Sequence, residues 1–407
     1  MKTLTLLKLT FLFLIIDFSG DYLLVWYSDL MVSLAGYIRI LIISLLMFAF
    51  FSLFLKPLNF KISKLGISIL SMITMTYIYA LLIGLLGEYP MNALRESMAI
   101  APIILIPLLM SLDEEERNEF FHFAIYTLII VILLKIIFGI ILHYALFGGY
   151  AWKIFNRSSP LLLIPLFYFF HKILNYKPEF KSLAGFSISL FGILVAQART
   201  LNFVVLLGLI LIFFFPGKGE KVNLSSFFGK RILMSAFLFF SVLLAALSTG
   251  TFDSSILGNW SGENFNTSAG MRIDQLNLLV SRMEENILGV GFGYVTKGFS
   301  DYEELNLSYL LELDLINFIS KTGIFMGFIY LFSYIIFIYG CVVRLKQSKN
   351  DQSILIAYSL SIPLLLAYSV MQALHSSILF WVAYSLAFSY IFFESKNKKI
   401  INLNSTN

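Results

Sequence analysis

The chain has 407 residues, of which 59% are apolar and only 13% charged, about half the charged share of an average soluble domain. That balance excludes a soluble globular fold, because the exterior of such a protein must be wetted, and recurring apolar stretches near 20 residues read as bilayer-spanning helices. The net charge of +5 does not point to nucleic acid, since the basic residues sit in short loops beside apolar runs, where they orient membrane proteins.

In chain order, Lys2 and Lys8 precede an apolar run from Leu9 to Ile16, and Asp17 to Tyr27 holds no Ala-x-Ala-like cleavage site. The run therefore reads as a retained first span rather than a signal peptide. The pattern predicts an all-α, polytopic transmembrane bundle of twelve spans: 4–20, 30–55, 62–86, 97–111, 120–146, 159–173, 182–197, 201–215, 230–248, 323–343, 352–370 and 374–393. Three regions follow: N-terminal transmembrane helices over 1–248, a long hydrophilic connection over 249–322, and C-terminal transmembrane helices with a tail over 323–407. Loops on one side carry 19 basic residues and those on the other 8. The basic side is the cytoplasmic one, which places both termini inside and residues 249–322 outside, on the non-cytoplasmic face of the membrane. Cys341 is the only cysteine, so no intrachain disulfide forms.

Two charges fall within spans. Arg39 lies roughly 14 Å of helix rise below the outer end of its span, and Lys135 lies near the middle of its own. Charge at such depth is costly and marks either a pathway or ligand contact or a structural ion pair between helices. Arg199 stands at the tip of the hairpin Ala196-Gln197-Ala198-Arg199-Thr200, against the positive-inside trend. It offers guanidinium donors to a phosphate or snorkels at the interface. The long connection is the functional candidate by length. Thr267 or Ser268 is expected to cap a helix over 269–286, with Ile273, Leu276, Leu279, Val280 and Met283 as its apolar stripe. A second helix is expected over Tyr302–Ser320. Arg272 and Arg282 lie on the first helix and differ by roughly 80° in direction, so they flank one ligand or are solvated beside Asp274 and Glu285. Glu312, Asp314 and His375 are candidates for a general base. There is no H-E-x-x-H or acidic ligand cluster and no Walker-type loop, so neither a metal nor another cofactor is expected. Gly289-Val290-Gly291-Phe292-Gly293 reads as a tight turn.

Three segments in order carry a resemblance: Ala198-Arg199-Thr200 between two apolar spans, Arg272 followed by Asn286-Ile287-Leu288-Gly289-Val290-Gly291-Phe292-Gly293, and Glu312 through Gly323 to Gly327. Over about residues 182–345 the chain resembles the bacterial O-antigen polymerase and O-antigen ligase superfamily (the Wzy and WaaL proteins). It departs from the ligases in having Glu312 where they usually carry a histidine, and Ile287 stands where the glycine-rich segment usually has proline. Both groups share one fold, and the departure favours the polymerases. The resemblance implies a metal-independent, inverting glycosyltransferase. Undecaprenyl-pyrophosphate-linked glycans would be donor and acceptor, with membrane lipid and a chain-length regulator as further partners. Arg199 and Arg272 would hold the diphosphate, and one of Glu312, Asp314 and His375 would take the acceptor proton. Rival expectations are a ligase that moves glycan to a lipid or protein, and a flippase, which would show matched halves.

Overall fold

The computed structural model describes residues 3–16, 44, 62–147, 159–176, 179–195, 199–214, 262–294, 313–347, 352–370 and 377–393. These form helices α1 (Thr3–Ile16), α2 (Lys64–Leu86), α3 (Pro90–Ser97), α4 (Leu105–Met110), α5 (Glu114–Phe147), α6 (Leu163–Asn175), α7 (Phe180–Val195), α8 (Arg199–Phe214), α9 (Gly262–Glu285), α10 (Asp314–Gln347), α11 (Gln352–Ser369) and α12 (Ile378–Ile391). Short 3-10 segments, Met98–Ile104 and Ser159–Leu162, lead into α4 and α6. Among the described residues the only β pairing is an isolated bridge, Ile62 with Phe393. Five helical stretches are long and apolar enough to cross a membrane, and five shorter apolar helices accompany them. The protein is an all-α membrane bundle.

Ten of the twelve expected spans fall on described helical segments; 230–248 and, apart from residue 44, 30–55 lie outside the described residues. The span expected over 97–111 is different in kind. Its apolar stretch begins at Pro90 and passes from α3 through the 3-10 segment into α4. Pro102 and Pro107 lack the N–H that a continuous α-helix would use. Ser385 of α12 donates to the Pro102 carbonyl at 2.9 Å, so the irregular turn is satisfied from outside.

α12 is the centre of the bundle. Every residue from Leu379 to Ser389 is buried, as expected of a helix apolar all round. It packs against α11, α4 and the 3-10 segment before α4, while α10 packs on α2 and α11 on α6. Aromatic rings bind these layers together. Tyr77 of α2 has its centroid 5.2 Å from Phe318, 5.3 Å from Phe292 and 5.3 Å edge-on from Trp381. Such tilted and edge-on pairs add about 0.5–1.5 kcal/mol each beyond the area they bury.

Among the described residues, contacts between connecting segments occur in two separate groups. At one end Lys8 pairs with Glu119, Ser63 N–H donates to the Phe392 carbonyl, and the Arg117 guanidinium lies 3.4 Å from the Phe393 ring centre. The opposite end holds the C-terminus of α2, all of α3, residues 286–294 and the start of α10. There Tyr79 donates to the Leu288 carbonyl at 2.8 Å. Tyr79→Phe removes only that bond, and a loss of about 0.5–1.5 kcal/mol in unfolding free energy is expected, measurable by denaturation in detergent.

Candidate functional site: a glycine-rich clamp at one end of the bundle

The site is built around a break in α10. Gly323 has φ 80° and ψ 161° inside an otherwise helical run, a conformation that only glycine adopts readily. The break frees a carbonyl on one side and an N–H on the other. Residues 287–291 satisfy both: Gly291 N–H donates to the Lys321 carbonyl at 2.9 Å, and Ile324 N–H donates to the Ile287 carbonyl at 3.0 Å. Phe292 N–H then reaches the Ala80 carbonyl of α2 at 3.0 Å. Gly289, Gly291 and Gly293 all have φ between 75° and 88°. A Cβ on Gly291 would strike the Gly84 backbone, and one on Gly293 the Ala93 backbone. The expected tight turn is present, and it is also a clamp that ties α9, α2, α3 and α10 together.

The clamp encloses charge. Glu96 of α3 accepts from Lys321 Nζ at 2.7 Å through one oxygen, and from Gly293 N–H at 2.8 Å through the other. The Lys321 side chain is fully buried and that of Glu96 is 7% exposed. Beside them Arg282 of α9 is buried. Its guanidinium donates to Asn317 Oδ1 and Ser320 Oγ, both at a long 3.4 Å, and lies 4.6 Å from the Tyr294 ring centre. Burial lowers the Arg282 pKa from its usual value, while Tyr294 and Glu96 pull it back up, so the guanidinium remains charged. Asp314, Asn317, Ser320, Lys321 and Thr322 are all buried on the short helical piece before Gly323. Buried polar and charged groups collected in this way within an apolar bundle mark a candidate functional site.

Several expectations change. α9 extends from Gly262 to Glu285, so Thr267 and Ser268 lie inside it and do not cap it. Its stripe faces the bundle only in part: Leu279 is buried against Leu313 and Ile316 and Met283 is half-buried, but Ile273, Leu276 and Val280 are exposed, and Gln275 and Arg282 are buried in their place. Arg282, offered as solvated beside Glu285, is buried. The boundary at 322/323 falls at the break in α10; the short piece before it, from Asp314, overlaps the end of the helix expected over Tyr302–Ser320, whose residues 302–312 lie outside the described residues. Arg95 sits in the last turn of α3.

The remaining site residues are placed as follows. Arg272 is half-buried on α9, roughly 15 Å along the helix from Arg282. Asp314 is buried at the start of α10, close enough for its charge to act on Lys321. Lys135 is buried on α5, next to Ile136, which faces Gly192 of α7; it belongs to a different part of the bundle from the clamp. Arg199 opens α8, which packs on α6 and α11, and its side chain is outside the described residues. Arg39, Glu312 and His375 also lie outside them. Among the described residues no cluster of three or more His, Cys, Asp or Glu could hold a metal.

Sequence reasoning missed Glu96, Lys321 and Tyr294. Lys321 carried the signal used for Arg199, a basic residue at the outer edge of an apolar run. Compared with known proteins, the chain matches no family model and shows no significant similarity to a curated protein.

Proposed function

We propose that the protein is a membrane glycosyltransferase that polymerises lipid-pyrophosphate-linked oligosaccharide repeat units into a surface polysaccharide. The observation that carries this reading is the interlocking of two segments on which the family resemblance rests. Residues 286–293 and the start of α10 are distant in sequence but bonded to each other at Gly291, Lys321, Ile287 and Ile324. They draw Arg282 to the same place.

In this reading the bundle has twelve spans, and its clamp end faces the non-cytoplasmic side of the inner membrane. A donor glycan on a lipid diphosphate and the terminal hydroxyl of a second lipid-linked unit meet beside α9. The bond from the anomeric carbon to the diphosphate oxygen breaks as the acceptor oxygen attacks from the opposite face, inverting that carbon. The acceptor proton passes to one of Glu312, Asp314 and His375. The leaving diphosphate is already a stabilised anion. Guanidinium groups of Arg199, Arg272 and Arg282, fixed before the reaction, offset the charge it gains. Holding two lipid-borne substrates in register supplies much of the remaining rate.

The purified protein supplied only with lipid-linked repeat units is expected to produce a ladder of lengthened chains. Transfer that needs an added lipid or protein acceptor would instead identify a ligase. The absence of any transfer would overturn the reading.

A further inference from the structure

The clamp contains a carboxylate with no part in the chemistry just described. Glu96 is buried, and both its oxygens are committed, one to Lys321 Nζ at 2.7 Å and the other to Gly293 N–H at 2.8 Å. Each partner is the immediate chain neighbour of a group that seats Arg282. Lys321 follows Ser320, whose hydroxyl accepts from the guanidinium, and Gly293 precedes Tyr294, whose ring lies against it. Those guanidinium contacts are themselves loose, with both hydrogen bonds at 3.4 Å, at the long limit for such bonds. A loosely bonded guanidinium keeps its place only if the two walls of its seat keep theirs. Backbone bonds such as Gly291 N–H to the Lys321 carbonyl join the two walls at a distance from the guanidinium, and the Glu96 side chain adds a bond to each wall beside it.

We infer that Glu96 is a positioning residue for Arg282: it ties the Ser320–Lys321 wall on α10 to the Gly293–Tyr294 wall on the glycine segment. The inference deepens the glycosyltransferase reading and rests on it for its kinetic consequence. Glu96 touches no substrate; it fixes the direction in which Arg282 offers its donors. Glutamine at this position keeps the length of the side chain. Its single carbonyl oxygen serves one wall, and its amide nitrogen cannot accept from the other.

Two measurements on the full-length protein test this. The first is a double-mutant cycle in the lipid-linked polymerisation assay, with rates expressed per folded molecule. Glu96→Gln and Arg282→Lys are each expected to lower kcat/KM by about tenfold to a hundredfold, the scale of a displaced catalytic group. The double variant should fall no more than about twofold below the weaker single one, because both changes disable the same arginine. Losses that multiply would overturn the inference.

The second measurement needs no activity. Cys341 is buried and is the one native cysteine, so Arg282→Cys provides a single reporter for maleimide. Labelling should be slow with Glu96 present and at least about fivefold faster with Glu96→Gln, which opens the seat. Equal rates would overturn the inference. If the wild-type protein extends no chains, the glycosyltransferase reading falls, and the labelling result alone decides the role of Glu96.

Discussion

Lys321→Met should destabilise the protein by about 3–5 kcal/mol, the scale for breaking a buried ion pair by removing one partner. The cause is the charge left behind. Glu96 would keep its bond from Gly293 N–H, but its carboxylate would lose its ammonium in a place nearly closed to water. Combining Lys321→Met with Glu96→Gln removes both charges and should recover most of the loss, since a neutral replacement of a buried pair is often nearly neutral in stability. Unfolding of the purified single and double variants in detergent measures both quantities. A single variant within about 1 kcal/mol of the wild type, a size typical of surface pairs, would mean that this pair is not buried as described.

Gly291→Ala is expected to have the larger functional effect. The residue has φ 81°, and an added Cβ would meet the backbone of Gly84, which cannot rotate away as a side chain would. The left-handed conformation alone costs a non-glycine residue about 1–2 kcal/mol. The collision adds to this, so the segment undocks instead of adapting. Its bond to the Lys321 carbonyl and the neighbouring one from Phe292 to Ala80 are then lost together. Polymerisation should fall by about a hundredfold or more, the scale of misplacing catalytic groups, while helical circular dichroism stays near the wild-type value because the helix-to-helix packing of α12 on α11 and α4 is untouched. Gly270→Ala is the control. Nothing lies within 4 Å of a Cβ at that position, and alanine within α9 should be neutral or stabilising by up to about 1 kcal/mol. Equal activity in the two variants would show that the clamp does not hold the site.

The membrane helices were legible because bilayer crossing demands length and apolarity, and both are visible in one dimension. Their edges shifted where backbone chemistry intervenes. Pro102 and Pro107 turn the helix expected over 97–111 into a 3-10 segment and the short α4, whereas the span expected from Gly323 does start at the break in α10. The glycine run was legible as a turn, but what it grips was not. Lys321 and Glu96 are separated by 225 positions, and hydropathy carries no information about such a pair. The face of α9 was misjudged in part for a related reason. Apolar periodicity favoured Ile273, Leu276, Leu279, Val280 and Met283; Leu279 does pack on Leu313 and on Ile316 of α10, but the helix also buries Gln275 and Arg282, the latter because Asn317 and Ser320 receive its guanidinium. Periodicity assumes an apolar destination and fails where the destination is a polar site.

The central claim is that guanidinium groups neutralise a departing diphosphate. It is tested most directly by comparing Arg199→Ala and Arg272→Ala with the wild type in the purified polymerisation assay, at matched amounts of folded protein. Neither residue belongs to the buried ion pair, so a loss can be assigned to substrate and not to folding. The account predicts that each variant loses about a hundredfold to a thousandfold in rate, as expected for removing one preorganised charge-stabilising group. Full chain growth in both variants would contradict it.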